Sequence, residues 1–241
     1  ERVLYRRKCD LCKKDIISIY SPDKPFTVYC SPCWWSDAWD PLASGRPYDP
    51  TRPFFTQFQE LMARQPQVAL VVDFPNLQNS DYTNHTGHIK NCYLLFDADY
   101  CENVHYSTTM NTTKDTMDCH LVWESELCYE DVNNTRTFRT FYSEDCTDCS
   151  DILFSKNLTD SHNCFGCINL KGKRYHIFNK PYSKEDYEAK IKSFNLDSWS
   201  GIQDTQKKTN EFYQTQPHKF MRERHNENVS GDYIYESKNA H

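Results

Sequence analysis

The sequence predicts a mainly β protein in which an N-terminal cysteine ribbon precedes an irregular right-handed parallel β-helix, or solenoid, with short capping helices. Three observations predict this fold. Two Cys-x-x-Cys motifs lie near the start of the 241-residue chain. The stretch 92–101 returns as 119–128, an internal repeat with a period of 27 residues. Short apolar runs introduced by Asn or Asp turns fill the middle of the chain, and helical patterns are confined to its flanks.

The first predicted element is a zinc ribbon over residues 1–40. Cys9-x-x-Cys12 and Cys30-x-x-Cys33 can place four thiolates at the corners of a tetrahedron, the arrangement that Zn²⁺ prefers in closed structural sites. The β-rich runs at 16–20 and 26–29 predict a hairpin between the motifs. Because four thiolates leave no position for water, we expect a structural zinc and no catalysis there.

Residues 41–67 are predicted to form a loop and one amphipathic helix. The apolar residues of this helix recur at helical spacing between two prolines: Phe54, Phe55, Phe58, Leu61 and Met62. We expect the helix to cap the apolar end of the first solenoid coil. The tryptophans at 34 and 35 are expected to pack the ribbon onto the next segment of the chain, with an exposed stacking platform for bases as the alternative.

The solenoid is predicted over residues 68–180, with coils of about 27 residues stacked about 4.8 Å apart. Residues at the same repeat position would then stack, so that Cys92, Cys119 and Cys146 form one inward ladder. We expect all eight cysteines outside the ribbon to be unpaired and to pack the interior, as in a reducing compartment.

The C-terminal part is predicted to contain a helix and a polar tether over 181–227. Ser183 and Asp186 form the capping signal of the helix. Residues 228–241 return to the Asn-turn pattern and are expected to begin a further coil.

Several stretches, namely 7–12, 16–25, 28–37, 163–170 and 177–183, resemble a family of zinc-ribbon proteins whose ribbon is followed by cysteine-rich Asn/Asp-Cys repeats. This family has no established activity. The resemblance implies further sequence before Glu1 and after His241, including another metal knuckle upstream. This chain has Val104, Val132 and Ala240 where the family often has cysteine. That departure favours packing over a metal-loaded solenoid.

Two further sites are candidates. The spacing of one cysteine group is close to that of a ribbon and suggests a second metal, although the same residues could simply pack the solenoid: Cys146, Cys149, Cys164 and Cys167. Five acids share repeat positions and would form one outward stripe that attracts Ca²⁺ or a basic partner: Asp97, Asp99, Glu124, Glu126 and Asp151.

The favoured function is a zinc-stabilised β-solenoid that serves as a binding or structural module within a larger assembly, with a protein partner. The alternative is nucleic-acid or ribonucleoprotein binding through the basic residues of the ribbon: Arg6, Arg7, Lys8, Lys13 and Lys14. A polysaccharide-acting β-helix enzyme is less favoured, because no basic residue falls on the acidic repeat positions. We expect a location in the cytoplasm or in a particle assembled in a reducing compartment, and no membrane partner.

Overall fold

The computed structural model describes residues 3–240, apart from the side chains of Phe74 and Arg224. The N-terminal region contains β1 (Tyr5–Lys8), β2 (Asp15–Ser18), β3 (Val28–Tyr29), α1 (Ser31–Trp34), α2 (Phe54–Arg64) and β4 (Gln67–Val68). Short 3₁₀ turns lie at Pro41–Ser44 and Phe74–Asn76.

The hairpin of this region is not the predicted one. β2 pairs antiparallel with β1, from Tyr5 opposite Ser18 to Lys8 opposite Asp15, and β3 pairs in parallel with β4. The first Cys-x-x-Cys motif itself makes the turn, because Cys9 N donates to Lys14 O and Lys13 adopts a left-handed φ of 64°. The turn therefore returns the chain onto β1 before the second motif is reached.

The helix α2 forms as predicted, but its apolar face is not buried as that of a capping helix would be. Its apolar residues Phe54, Phe55, Phe58 and Met62 are 45–79% exposed, and none of its residues is buried. Ion pairs from Arg52 and Arg46 to Glu60 tie it to the preceding loop instead. Of the two predicted packing tryptophans, Trp34 packs on Trp39, whereas Trp35 is 79% exposed.

One sheet of sixteen strands makes up the middle of the chain, and we call it the coil stack. Its strands are β5 (Leu77–Gln78), β6 (Asn84–Gly87), β7 (Ile89–Lys90), β8 (Phe96–Asp99), β9 (Glu102–His105), β10 (Thr108–Asn111), β11 (Lys114–Met117), β12 (His120–Trp123), β13 (Glu126–Tyr129), β14 (Val132–Phe141), β15 (Thr147–Leu153), β16 (Lys156–Thr159), β17 (His162–Phe165), β18 (Ile168–Lys171), β19 (Arg174–Ile177) and β20 (Lys180–Pro181). All described pairs in it are parallel except β19 with β20.

Equivalent residues in neighbouring coils of the stack are separated by 12 residues along the chain. Phe96 lies opposite Thr108, and Thr108 lies opposite His120, in successive parallel pairs. The predicted coil, whose length was the spacing from Cys92 to Cys119, is therefore wrong. That spacing corresponds to two full coils of the observed length plus one of the four sides of the next coil.

Each coil has four short sides separated by corners. A residue with left-handed φ recurs at every third position, such as Asn91, Leu94 and Asp97 with φ of 50–55°. The residue after each of these corners is buried, so four side chains per coil fill the interior.

The interior cysteines do not form the predicted ladder. Because every third residue begins a new side, Cys92, Cys119 and Cys146 lie on different sides of the coil stack. Cys128 instead shares a column with Thr140, and the same column continues to Cys164.

The C-terminal part contains α3 (Lys184–Lys192), α4 (Trp199–Gln214), β21 (Glu223–Arg224), β22 (Glu227–Val229), β23 (Ile234–Tyr235) and β24 (Lys238–Ala240). Ser183 caps α3 as predicted, by accepting from Asp186 N. The predicted polar tether is instead largely the helix α4. β21 pairs in parallel with β23, and β22 with β24, outside the sixteen-stranded sheet. Asn228 and Asn239 have left-handed φ and are joined by a side-chain hydrogen bond of 2.8 Å, as the corner residues of the coil stack are. His241 lies outside the described residues.

No described helix combines the length and the apolar character that a bilayer span requires.

Candidate metal centre

The four cysteines of the predicted ribbon come together in space. The Sγ atoms of Cys9, Cys12, Cys30 and Cys33 all lie within 4.8 Å of one another, and those of Cys12 and Cys30 are 3.8 Å apart. In a tetrahedral zinc site with Zn–S bonds of about 2.3 Å, neighbouring sulfurs are about 3.8 Å apart. The donor set therefore fits a single tetrahedral ion such as Zn²⁺.

Two short elements hold the thiols. Cys9 and Cys12 lie in the turn of the β1–β2 hairpin, whereas Cys30 precedes α1 and Cys33 lies within it. The amide of Cys30 donates to Cys9 Sγ over 3.3 Å, which links the two motifs directly. Because each motif is held by its own tight turn, the site needs little further ordering to bind a cation.

Asp10 also links the two halves of the site, a role that was not predicted from the sequence. Its carboxylate accepts from Val28 N over 2.7 Å and pairs with Arg7 Nη2 at 3.0 Å. Arg7 additionally donates to Phe26 O over 3.1 Å. The sequence did contain a signal for this contact, because an acid lies inside the first Cys-x-x-Cys motif shortly after an arginine. Such an acid can hold the residues around a metal site in place.

The thiols differ in their acidity. Burial alone would raise the pKa of Cys9, but the amides of Cys30, Cys12 and Leu11 point at its sulfur and lower its pKa to about 6. A hydrogen bond to Cys30 raises the pKa of Cys33 to about 12. Cys33 thus keeps its proton at neutral pH until a cation replaces it, and metal binding should release protons.

The second cysteine group does not form a comparable site. Cys146, Cys149, Cys164 and Cys167 are buried on four different sides of the coil stack. Within residues 3–240, the ribbon cysteines are the one group of three or more candidate ligands whose donor atoms all lie within 4.8 Å of one another. The alternative that these cysteines pack the interior is the one that the geometry supports.

All eight cysteines outside the ribbon are buried and unpaired, as expected. Burial raises the pKa of Cys101 to about 12 and that of Cys128 to about 11. The thiols of Cys101 and Cys128 therefore stay protonated at neutral pH and are poor nucleophiles.

The five acids do not form the predicted stripe. Asp99 lies beside Gly87 and Asn111, and Glu126 lies beside Lys114 and Phe138. The short period of the coil also places Asp97, Glu124 and Asp151 at three different corners. The sequence repeat led to a wrong prediction of the stripe. The shift that aligns 92–101 with 119–128 keeps each residue inward or outward, but it moves the residue to the next side of the coil.

Basic residues do lie above acids, contrary to expectation. Arg136, in the column of Glu124, pairs with Asp148 at 2.6 Å, and Arg139 pairs with Asp151. The acids of the stack are thus partly neutralised by its own cations, and among the described residues no three of them bring their carboxylate oxygens within 4.8 Å of one another.

The basic residues near the first motif are only partly available. The side chain of Arg7 is 8% exposed and is held by Asp10. Lys8 pairs with Asp15 at 2.9 Å, and Lys13 donates to the carbonyl of Asp10. Arg6 and Lys14 are exposed.

No family model matches this chain, and no curated protein matches it. Among solved structures, the chain is similar to a mutant of perosamine N-acetyltransferase from Caulobacter crescentus in complex with CoA and GDP-perosamine. The identity is 10% and the TM-score 0.12, over 48% of this chain and 54% of that chain. A likeness this weak carries no argument, and the chain matches only about half of that protein.

Proposed function

We propose that the chain is a zinc-stabilised, right-handed β-solenoid that serves as a binding or structural module of a larger assembly. The observation that carries the proposal is the convergence of four thiols within 4.8 Å at the N-terminal end. Right-handed connections predominate between parallel strands of one sheet, which is why we assign this hand to the coil stack.

The metal would have a structural role. Cys9, Cys12, Cys30 and Cys33 would hold it, and four thiolates leave no open position for water or substrate. Its chemistry would be that of a cross-link between the hairpin turn and α1. We place the protein in a reducing compartment, because its described cysteines are free and all those outside the ribbon are buried.

We propose a protein rather than a nucleic acid as the partner. Of the five basic residues near the first motif, Arg7 is tied into the ribbon and Lys8 into an ion pair. The stack itself is acidic, with five Lys or Arg against fourteen Asp or Glu over 84–170. Such a surface repels a phosphate backbone. A salt-dependent gel shift with the intact chain would contradict this choice.

The test of the metal is elemental analysis of protein purified without chelator. We expect one zinc per chain, and we expect Cys30→Ser to lose the zinc and make the ribbon sensitive to protease, while circular dichroism of the stack is unchanged. Cys101→Ser is the matched control, because it changes a buried thiol outside the site and should keep its zinc. Wild-type protein without zinc, or Cys30→Ser with full zinc, would contradict the proposal.

A further inference from the structure

A cleft of about 640 Å³ separates one face of the coil stack from the segment after α4. This volume lies in the range of small-molecule sites. Five residues that are adjacent in register line its inner side: Asn111, Trp123, Thr135, Thr147 and Thr159. Neighbouring strands are about 4.8 Å apart, so this row offers one side chain per step over about 19 Å.

Four uncharged polar groups of this row have no hydrogen-bond partner within the described part of the protein, whereas Asn111 Oδ1 accepts from the hydroxyl of Thr112 over 2.8 Å. The hydroxyls of Thr135, Thr147 and Thr159 and the indole N–H of Trp123 form no hydrogen bond with any described residue. Inward hydroxyls differ, since those of Thr116 and Ser125 donate to nearby backbone carbonyls. The row therefore presents free donors and acceptors along a straight line.

The charged groups of the cleft are balanced and mostly engaged. Arg136 forms two hydrogen bonds with Asp148, of 2.6 and 2.9 Å, and Arg222 pairs with Asp145 at 2.7 Å and Asp232 at 3.0 Å. Among the side chains that the structure describes, the lining contains three acids and three bases: Glu124, Asp145, Glu223, Arg136, Lys219 and Arg222. A cleft with no net charge does not favour a phosphate backbone, whose binding depends on an excess of cations.

We propose that this cleft binds a neutral oligosaccharide, an inference that rests on the proposed binding function and names its ligand class. Trp123 provides an aromatic face for a sugar ring, with a second aromatic side chain, Tyr235, across the cleft. The threonine hydroxyls both donate and accept, which matches the hydroxyls of a sugar. An extended peptide is a poorer fit, because the backbone of this row is already paired within the sheet.

The experiment is isothermal titration of the full chain with a panel of neutral tetrasaccharides of glucose, mannose, galactose and N-acetylglucosamine. We expect one of these saccharides to bind, and Trp123→Ala to weaken its binding about tenfold or more. Thr147→Val should weaken binding less, because it removes one hydroxyl and keeps the shape. Trp35→Ala is the matched control, since it removes an exposed tryptophan of the ribbon, and it should bind as wild type does.

Two results of the titration would overturn the inference, and a competition experiment could supply a third. One is the absence of binding by every saccharide at millimolar concentration, and the other is equal binding by wild type and Trp123→Ala. Displacement of the saccharide by a single-stranded oligonucleotide would also overturn it, in favour of a charged ligand. Zinc content and circular dichroism are measured on the same samples, so a failure of saccharide binding with one zinc per folded chain leaves the metal-stabilised fold standing.

Discussion

Serine and cysteine are interchangeable inside the coil stack because each makes the same two contacts. Ser107 Oγ donates to His105 O over 2.8 Å and accepts from Cys119 N over 3.1 Å. One coil later, Cys119 Sγ makes the same two contacts: it donates to Met117 O and accepts from Asp131 N. The interior cysteines therefore connect coils through hydrogen bonds and do not need disulfides.

One coil is polar throughout its interior. Its inward residues are Asp131, Asn134, Thr137 and Thr140, and they separate two apolar clusters of the stack. The carboxyl of Asp131 accepts from Ser143 N over 2.9 Å and from the hydroxyl of Thr140. Burial outweighs these hydrogen bonds and raises the pKa of Asp131 to about 7.

We predict that Asp131 makes stability depend on pH. Between about pH 4 and pH 7, the folded chain holds a proton that the unfolded chain releases, so the free energy of unfolding falls as pH rises and levels off above pH 7. Asp131→Asn should remove this slope and stabilise the protein by a few kcal/mol at pH 8. Urea unfolding from pH 4 to pH 8 measures it, with the exposed Asp118→Asn as control. Parallel curves for wild type and Asp131→Asn would disprove the account.

The helix α4 packs on the coil stack through small residues on the helix and aromatic residues at a corner of the stack. Thr205 and Thr209 are buried on the face toward the stack, and Tyr213 donates its hydroxyl to Phe154 O. Gly166 lies at the corner beneath the helix with a φ of 60°. A pattern of threonines with a single aliphatic residue, Ile202, resembles a solvated tether, which explains why the sequence did not predict this contact.

We predict that two glycine corners respond differently to alanine. A Cβ at Gly166 would lie 2.8 Å from Phe178 Cε1 and 3.0 Å from Thr209 Cγ2, whereas a Cβ at Gly172 meets nothing within 4 Å. Both have φ near 60°, so each substitution costs about 1–2 kcal/mol from the backbone. Gly166→Ala should cost a further 1–3 kcal/mol or so from overpacking. Thermal melts compare them, and equal losses would mean that Phe178 and Thr209 do not crowd Gly166 as described.

At the scale of the whole molecule, the sequence predicted the elements better than their periodicity. The clustering of the four ribbon cysteines, the parallel strands and the cap of α3 could be inferred, because each leaves a local spacing or capping signal in the sequence. The length of the coil could not be inferred. The resemblance of Cys92–Cys101 to Cys119–Cys128 reflects a shift by a whole number of three-residue sides, not by a whole number of coils. Corner positions accept Tyr100, Leu127 or Arg139 as well as Asn, which hides the true repeat.

The short coil is the claim on which the whole architecture depends, and disulfide trapping tests it most directly. Thr112→Cys with Glu124→Cys joins neighbouring corners about 4.8 Å apart, within the range for a disulfide. Asp97→Cys with Glu124→Cys joins the positions that the sequence repeat equates, which the structure places at different corners. After mild oxidation and peptide mapping, we expect the first pair to be linked and the second to remain free. A link between 97 and 124, with none between 112 and 124, would contradict the short coil.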